Sequence, residues 1–158
     1  MVIRHGADLM VVGANSITAD RFMKYLREVA SEILQGEGIE PWVAFGPTDV
    51  SQVYATSDKA KYNLKGFSSF TKQAISLARF KQSPIAETLG LWSNSVEDNL
   101  VLSMSLHPFQ RNVSEGALHA HLYNIAVSSV NEIGLDLHLT IRNENHHHLY
   151  QFISGLGF

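Results

Sequence analysis

The chain contains no cysteine. That excludes disulfides, thiolate metal ligands and a cysteine nucleophile together, and it fits a reducing compartment. Charge is sparse as well: 17% of residues are charged and the formal net charge is -3. Non-specific nucleic-acid affinity comes mainly from Lys and Arg neutralising phosphates, so this mild acidity predicts no nucleic-acid partner. No apolar run approaches the roughly 20 residues of a membrane span, which predicts no membrane partner. The opening "MVIRHGADLMVVGAN" has an apolar run too short for a signal peptide, and Asp8 breaks it. The expected location is therefore cytoplasmic, or within an assembled particle. Signature motifs are missing too. There is no P-loop and no Gly-x-Ser-x-Gly. "GAN" after the first apolar run lacks the further glycines of a dinucleotide fingerprint.

What remains is a chain of 158 residues, 45% apolar, long enough for one domain with a core. "DLMVVGA" reads as a buried strand. In "SITADRFMKYLREVASEILQ", Phe22, Leu26, Val29, Ile33 and Leu34 share one helical face. Ser16 or Thr18 caps that helix, and Gly36 and Gly38 stop it. "PWVAFG" reads as a second strand, so residues 8–46 predict a β-α-β unit. "VSQVYAT" and "TLGLWS" read as strands, and "SSFTKQAISLARF" as a helix ended by Pro84.

The later part reads as a second such unit. In "NLVLSMSLH", Leu100, Leu102, Met104 and Leu106 alternate with polar or smaller residues. A helix capped by Ser114 follows, with Leu118, Leu122, Ile125, Ser129 and Ile133 as its stripe, closed by Gly134. "LDLHLTIR" alternates again, and Leu149, Phe152, Ile153 and Leu156 predict a terminal helix. Two β-α-β units sharing one mixed or antiparallel sheet make an α/β two-layer sandwich, ferredoxin-like or related, as a single domain over residues 1–158.

Histidine stands out. Of eight, all but His5 lie between His107 and His148. A three-histidine zinc site needs imidazoles converging at about 2.1 Å on one ion. The candidate ligands, for Zn²⁺ or Mn²⁺, are His107, His138, His119, His121, His146, His147 and His148. His107 and His138 lie on the polar faces of the two alternating segments, where adjacent parallel strands would bring them together with Ser103, Ser105 and Thr140. His119 and His121 sit on a predicted helix, where two positions are about 200° apart, so their rings diverge. His146, His147 and His148 open the terminal helix and fan out similarly.

Two resemblances bear on this. The order helix, "GLDLHLTI", "NENHHH", helix, from Ala117 to Phe158, is similar to the C-terminal part of imidazoleglycerol-phosphate dehydratase. That family carries a manganese-binding Asn-x-His-His-x-x-Glu element. Asn145, His146, His147 and His148 match it in part, and Gln151 stands at the carboxylate position, so the activity is not carried over. "NLVLSMSLHPFQRNVSEGALHAHLYNIAVSSV" resembles phage tail-terminator proteins in its alternating segment, polar loop and amphipathic helix.

Two functional readings follow. The first is a non-enzymatic assembly module, a subunit of a homo-oligomer such as a ring or particle, with Tyr54, Tyr62, Phe67, Phe70 and Trp92 as interface aromatics. The second is a metal-dependent lyase or hydrolase, with a small polar metabolite as its small-molecule ligand.

Overall fold

The computed structural model describes residues 2–38 and 41–156. In order along the chain come α1 (Val2–His5), β1 (Leu9–Gly13), α2 (Ala19–Glu37), β2 (Trp42–Gly46), α3 (Asp49–Thr56), α4 (Asp58–Asn63), α5 (Ser69–Gln82), α6 (Pro84–Leu89), α7 (Glu115–Ile133) and α8 (Leu137–Arg142). Three 3-10 segments, Leu100–Ser103, Gln110–Asn112 and Glu144–Phe152, flank α7 and α8. Two compact units result, Met1–Thr48 and Asp49–Phe158. No helix among the described residues is long and apolar enough to cross a membrane.

In the first unit, β1 and β2 pair in parallel, with Val12 opposite Phe45 and Leu9 opposite Trp42. Helix α2 packs on them through Ala19, Met23 and Leu26, against Val12 and Val43. The buried face of α2 is thus set by Ala19, Met23 and Ala30, while Phe22 and Leu34, expected inside, are exposed. Gly38 ends the helix in the left-handed region at φ 70°, a conformation that glycine adopts without steric cost.

The second unit is entirely helical among its described residues, which overturns the α/β sandwich. Among the described residues the only sheet has two strands, both in the first unit. "VSQVYAT" is helix α3, because Val50 and Tyr54 bury together one turn apart. "TLGLWS" is the end of α6 and the turn after it. "NLVLSMSLH" contains a 3-10 turn. Asn99 caps it by accepting from the Val101 amide at 3.1 Å, and Val101 and Met104 are the buried pair. Three-residue spacing therefore wins over the apparent two-residue alternation.

"LDLHLTIR" is helix α8. The Asp136 carboxylate accepts from the Leu139 amide at 3.1 Å, as an N-cap does. Thr140 is buried and donates to the Asp136 carbonyl, while Leu137, Leu139 and Ile141 face outward. The alternation is present, but its apolar members are the exposed ones. Helices α4, α5 and α7 start alike, on Ser57, Ser68 and Ser114, each accepting from the amide three residues on.

Two apolar clusters form the core. Val50, Tyr54, Ala60, Leu91, Val101 and Met104 make one. Ala86, Leu89, Ala126, Val130, Leu149 and Phe152 make the other. Trp92 packs against both. The face that α7 turns inward carries Ala126 and Val130, while Ile125 and Ile133 of the expected stripe are exposed. Asp136 provides a direct check on α8. Asp136→Ala removes its cap and is expected to lower stability by about 1 kcal/mol in urea unfolding, with Asp136→Asn close to wild type. Were the segment a strand, the two variants would unfold alike.

Candidate functional site

The C-terminal part of the second unit is organised around one side chain. Asn131, on the last turn of α7, donates from Nδ2 to the Val127 carbonyl at 2.6 Å and to the Phe152 carbonyl at 3.0 Å. Its Oδ1 accepts from the Ser154 amide at 3.1 Å. The carboxamide therefore holds the chain on both sides of Ile153, where Glu144–Phe152 ends. Leu149 and Phe152, three residues apart, are fully buried beneath it, matching the three residues per turn of a 3-10 helix. Beyond them Ser154, Gly155 and Leu156 are exposed, and the Leu156 amide donates to the Ile153 carbonyl at 3.0 Å. Gly155 has φ 86°, a region that disfavours any residue with a Cβ. The result is a tight exposed turn on a rigid base.

A second group of polar side chains fixes the other end of this segment. His148 Nε2 lies 2.7 Å from the Ala86 carbonyl, which makes it the donor. Lys59 Nζ donates to the Gly90 carbonyl at 3.1 Å. Lys59 thus satisfies a carbonyl just past the C-terminus of α6, where a helix leaves acceptors without an intrahelical partner, and His148 adds a second donor to the Ala86 carbonyl, which also accepts from the Gly90 amide at 2.9 Å. A Cβ on Gly90 would meet the Ala86 and Glu87 carbonyl oxygens at 3.1 and 3.2 Å and His148 Cε1 at 3.4 Å, so a larger residue fits there only tightly. Beneath, buried Glu87 accepts from Ser76 Oγ at 2.6 Å, and Arg79 donates to the Tyr54 hydroxyl at 3.2 Å. Burial raises the Glu87 pKa above its ordinary value, against the lowering effect of Ser76, Arg79 and Lys59. Burial also lowers that of Lys59.

The histidines are dispersed among separate tasks. His107 Nδ1 accepts from the Phe109 amide at 3.1 Å in an exposed loop. His138 is exposed on α8, so no sheet brings it to His107. His119 lies 3.0 Å from the Ser93 carbonyl and stacks on Trp92 at 4.6 Å between centroids, while His121 on the same helix is exposed. His147 reaches the Ile141 carbonyl at 3.2 Å, and His148 turns to α6. Burial lowers the pKa of His146. Among the described residues no three His, Asp or Glu side chains gather as a metal site. Of the aromatics expected at an interface, Tyr54 is buried and Trp92 is a core residue, while Tyr62, Phe67 and Phe70 are exposed.

Residues 99–158 match a family described as a helix-hairpin-helix motif, the stretch that ends in the Asn131-clamped turn. Over 150 residues the chain is 31% identical to transcription elongation factor SPT6 of Drosophila melanogaster, covering 94% of this chain and 8% of that protein. It is 40% identical over 86 residues to the Suppressor of Ty 6 homolog of Caenorhabditis briggsae, covering 54% of this chain and 6% of that one. It is 26% identical over 134 residues to SPT6 of Candida albicans, covering 85% and 9%. The chain therefore spans less than a tenth of the length of these relatives. These likenesses overturn the homo-oligomeric assembly module and the metal-dependent lyase or hydrolase. They also overturn the expectation of no nucleic-acid partner.

The sequence signal that points to the turn is "SGLGF" after an apolar pair, with Asn131 twenty-one residues before Phe152 giving no local pattern to read. Replacing Asn131 with Ala removes three hydrogen bonds at once. It is expected to lower stability by about 1–3 kcal/mol, with faster hydrogen exchange at Ser154 than at the buried amides of α7.

His148 gives a pH signature. Burial, reinforced by the charge of Lys59, holds it at about 4 against an ordinary 6.5. The unfolded chain takes up this proton as the pH falls through 6.5, whereas the folded chain resists until about 4. Stability present above pH 6.5 is thus lost across that window, by about 3 kcal/mol in total. Glu87 runs the other way, because its raised pKa favours the folded state at low pH. His148→Gln keeps a donor for the Ala86 carbonyl and removes the titration. Its melting temperature is expected to fall less than that of wild type between pH 7 and pH 4.

Proposed function

We propose that this chain is a segment of a transcription elongation factor and that its C-terminal turn meets nucleic acid. The observation that carries this is the coincidence of two independent features. The helix-hairpin-helix match covers residues 99–158, and within it the exposed turn at Gly155 is clamped to its supporting helix by a single carboxamide. An exposed turn with a positive-φ glycine brings backbone close to a ligand, and backbone N–H groups are a common means of contacting phosphate oxygens. Contacts of this kind set position on the nucleic acid and do not read its sequence.

The charge balance defines what sort of contact this is. Residues 99–158 hold Arg111 and Arg142 against Glu115, Glu132, Asp136 and Glu144. Few counterions are released when such a surface binds, so affinity is modest and depends weakly on salt. A segment with this property adds position and register within a longer protein that supplies affinity elsewhere. The reading places the chain at transcribed chromatin, in the nucleus of a eukaryotic cell, where the sequence alone led to the cytoplasm.

The test uses the whole chain and fluorescein-labelled duplex DNA in an anisotropy titration. Weak binding is expected, with a salt slope of magnitude about 2 or less, the value for two neutralised phosphates. Gly155→Val forces a β-branched residue into the left-handed region and is expected to abolish the binding while the circular dichroism stays unchanged. Binding that survives Gly155→Val unaltered would remove the turn from the interface.

A further inference from the structure

A cleft of about 410 Å³ opens beside the first half of α7, lined by Asn94, His119, Ala120, Tyr123, Asn124 and Gln151. Its chemistry is narrow. No Lys or Arg lines it, so nothing there compensates a phosphate or a carboxylate. No Asp or Glu lines it, so nothing favours a cation. Three carboxamides, an imidazole and a phenol do line it, a set rich in donors and acceptors and without formal charge. The complementary ligand is neutral, polar and able to use both kinds of hydrogen bond.

The aromatic wall adds a shape. Trp92 stacks on His119 at 4.6 Å, stands 5.9 Å from Tyr123 and meets Phe152 edge-on at 5.7 Å. Tyr123 in turn lies 5.8 Å from Phe152. Two of these rings, His119 and Tyr123, also line the cleft, and Trp92 and Phe152 hold them in the core. The imidazole is oriented further by donating from Nε2 to the Ser93 carbonyl at 3.0 Å. Asn94 is set by accepting from Trp92 Nε1 at 3.3 Å through Oδ1, so its amide group remains a donor. Flat rings fixed before binding suit a planar ligand, because little ordering cost falls on association.

We infer that this cleft receives an unpaired nucleobase. Single-stranded nucleic acid is recognised by stacking bases on aromatic side chains and hydrogen-bonding their exposed edges. Asn and Gln carboxamides present a donor and an acceptor side by side, the pattern that base edges match. Asn124 and Gln151 supply two such groups, and His119 and Tyr123 supply the rings. The cleft lies outside the turn at 153–156 and serves a different part of the ligand: the turn meets backbone, and the cleft meets a base. The inference rests on the reading that this chain works on nucleic acid, but it does not depend on the turn being the other contact.

The test compares four labelled ligands on the whole chain: a short adenine homopolymer, a uracil homopolymer, an abasic strand of the same length, and a duplex. The base-bearing strands are expected to bind at least about tenfold more tightly than the abasic strand, the range that one aromatic stack supports. Asn124 is exposed, so Asn124→Asp perturbs no core. That variant is expected to bring the base-bearing strands down to the abasic level, and to leave duplex affinity within about twofold. Equal affinity for base-bearing and abasic strands overturns the pocket, as does an Asn124→Asp variant that binds single strands like wild type. Duplex binding that Gly155→Val abolishes, with no preference for bases, retains the turn and rejects the pocket. Base-dependent binding of single strands without duplex binding retains the pocket and rejects the turn.

Discussion

The indole of Trp92 is the contact on which the helical unit depends. It packs against both apolar clusters, the one built by α3, α4 and the turn before α7, and the one built by α6, α7 and the final 3-10 segment. Without it these would be two small cores, each short of the burial that a stable domain needs. Its ring also carries the stack on His119 and the edge contact with Phe152. Phe152 in turn gives its carbonyl to Asn131, whose carboxamide fixes the exposed turn. The chain of consequence thus runs from one partly buried ring to both exposed features, the turn and the cleft.

The polar groups at the C-terminus of α6 work by a different physics. A six-residue helix has too few internal hydrogen bonds to be stable alone, and its last carbonyls need partners. Lys59 from α4 provides one for the Gly90 carbonyl, and His148 from the final segment adds a second donor to the Ala86 carbonyl. Each is partly withdrawn from water, which disfavours its charged form, and the charge of Lys59 further disfavours protonation of His148. Glu87 sits in the same group and is disfavoured as an anion by burial, against the lowering effect of Ser76, Arg79 and Lys59. What reads in the sequence as a row of three histidines is one helix-end ligand, His148, with neighbours directed elsewhere.

The sequence was informative where local chemistry and tertiary burial agree. Residues 9–46 form strand, helix and strand because their apolar runs are short, bounded by Gly, and separated by a long amphipathic stretch. Ser114 and Gly134 bracket α7 because capping is a local interaction. It misled where a two-residue alternation met a stronger local signal. In "LDLHLTIR" the Asp136 cap and the Thr140 back-bond select a helix, and the alternating leucines are then left on its outside. In "NLVLSMSLH" the Asn99 cap selects a 3-10 turn. Each segment is only about two turns long, too short for periodicity to separate helix from strand. The clamp by Asn131 and the cleft at Asn124 join residues distant in sequence, and no spacing rule announces either.

The expectation of no nucleic-acid partner failed for a reason that is physical. Net charge measures the long-range, salt-dependent part of nucleic-acid affinity, and a chain at -3 has little of it. It says nothing about directional contacts made by backbone amides or by carboxamides against a base edge, because neither carries charge. Both features of this chain that suit nucleic acid are of that uncharged kind. Such a surface has no means of drawing a polyanion to itself and is effective only when something else brings the ligand near. Tethering beside a second binding site has that effect in general, because effective concentration then replaces charge as the source of binding.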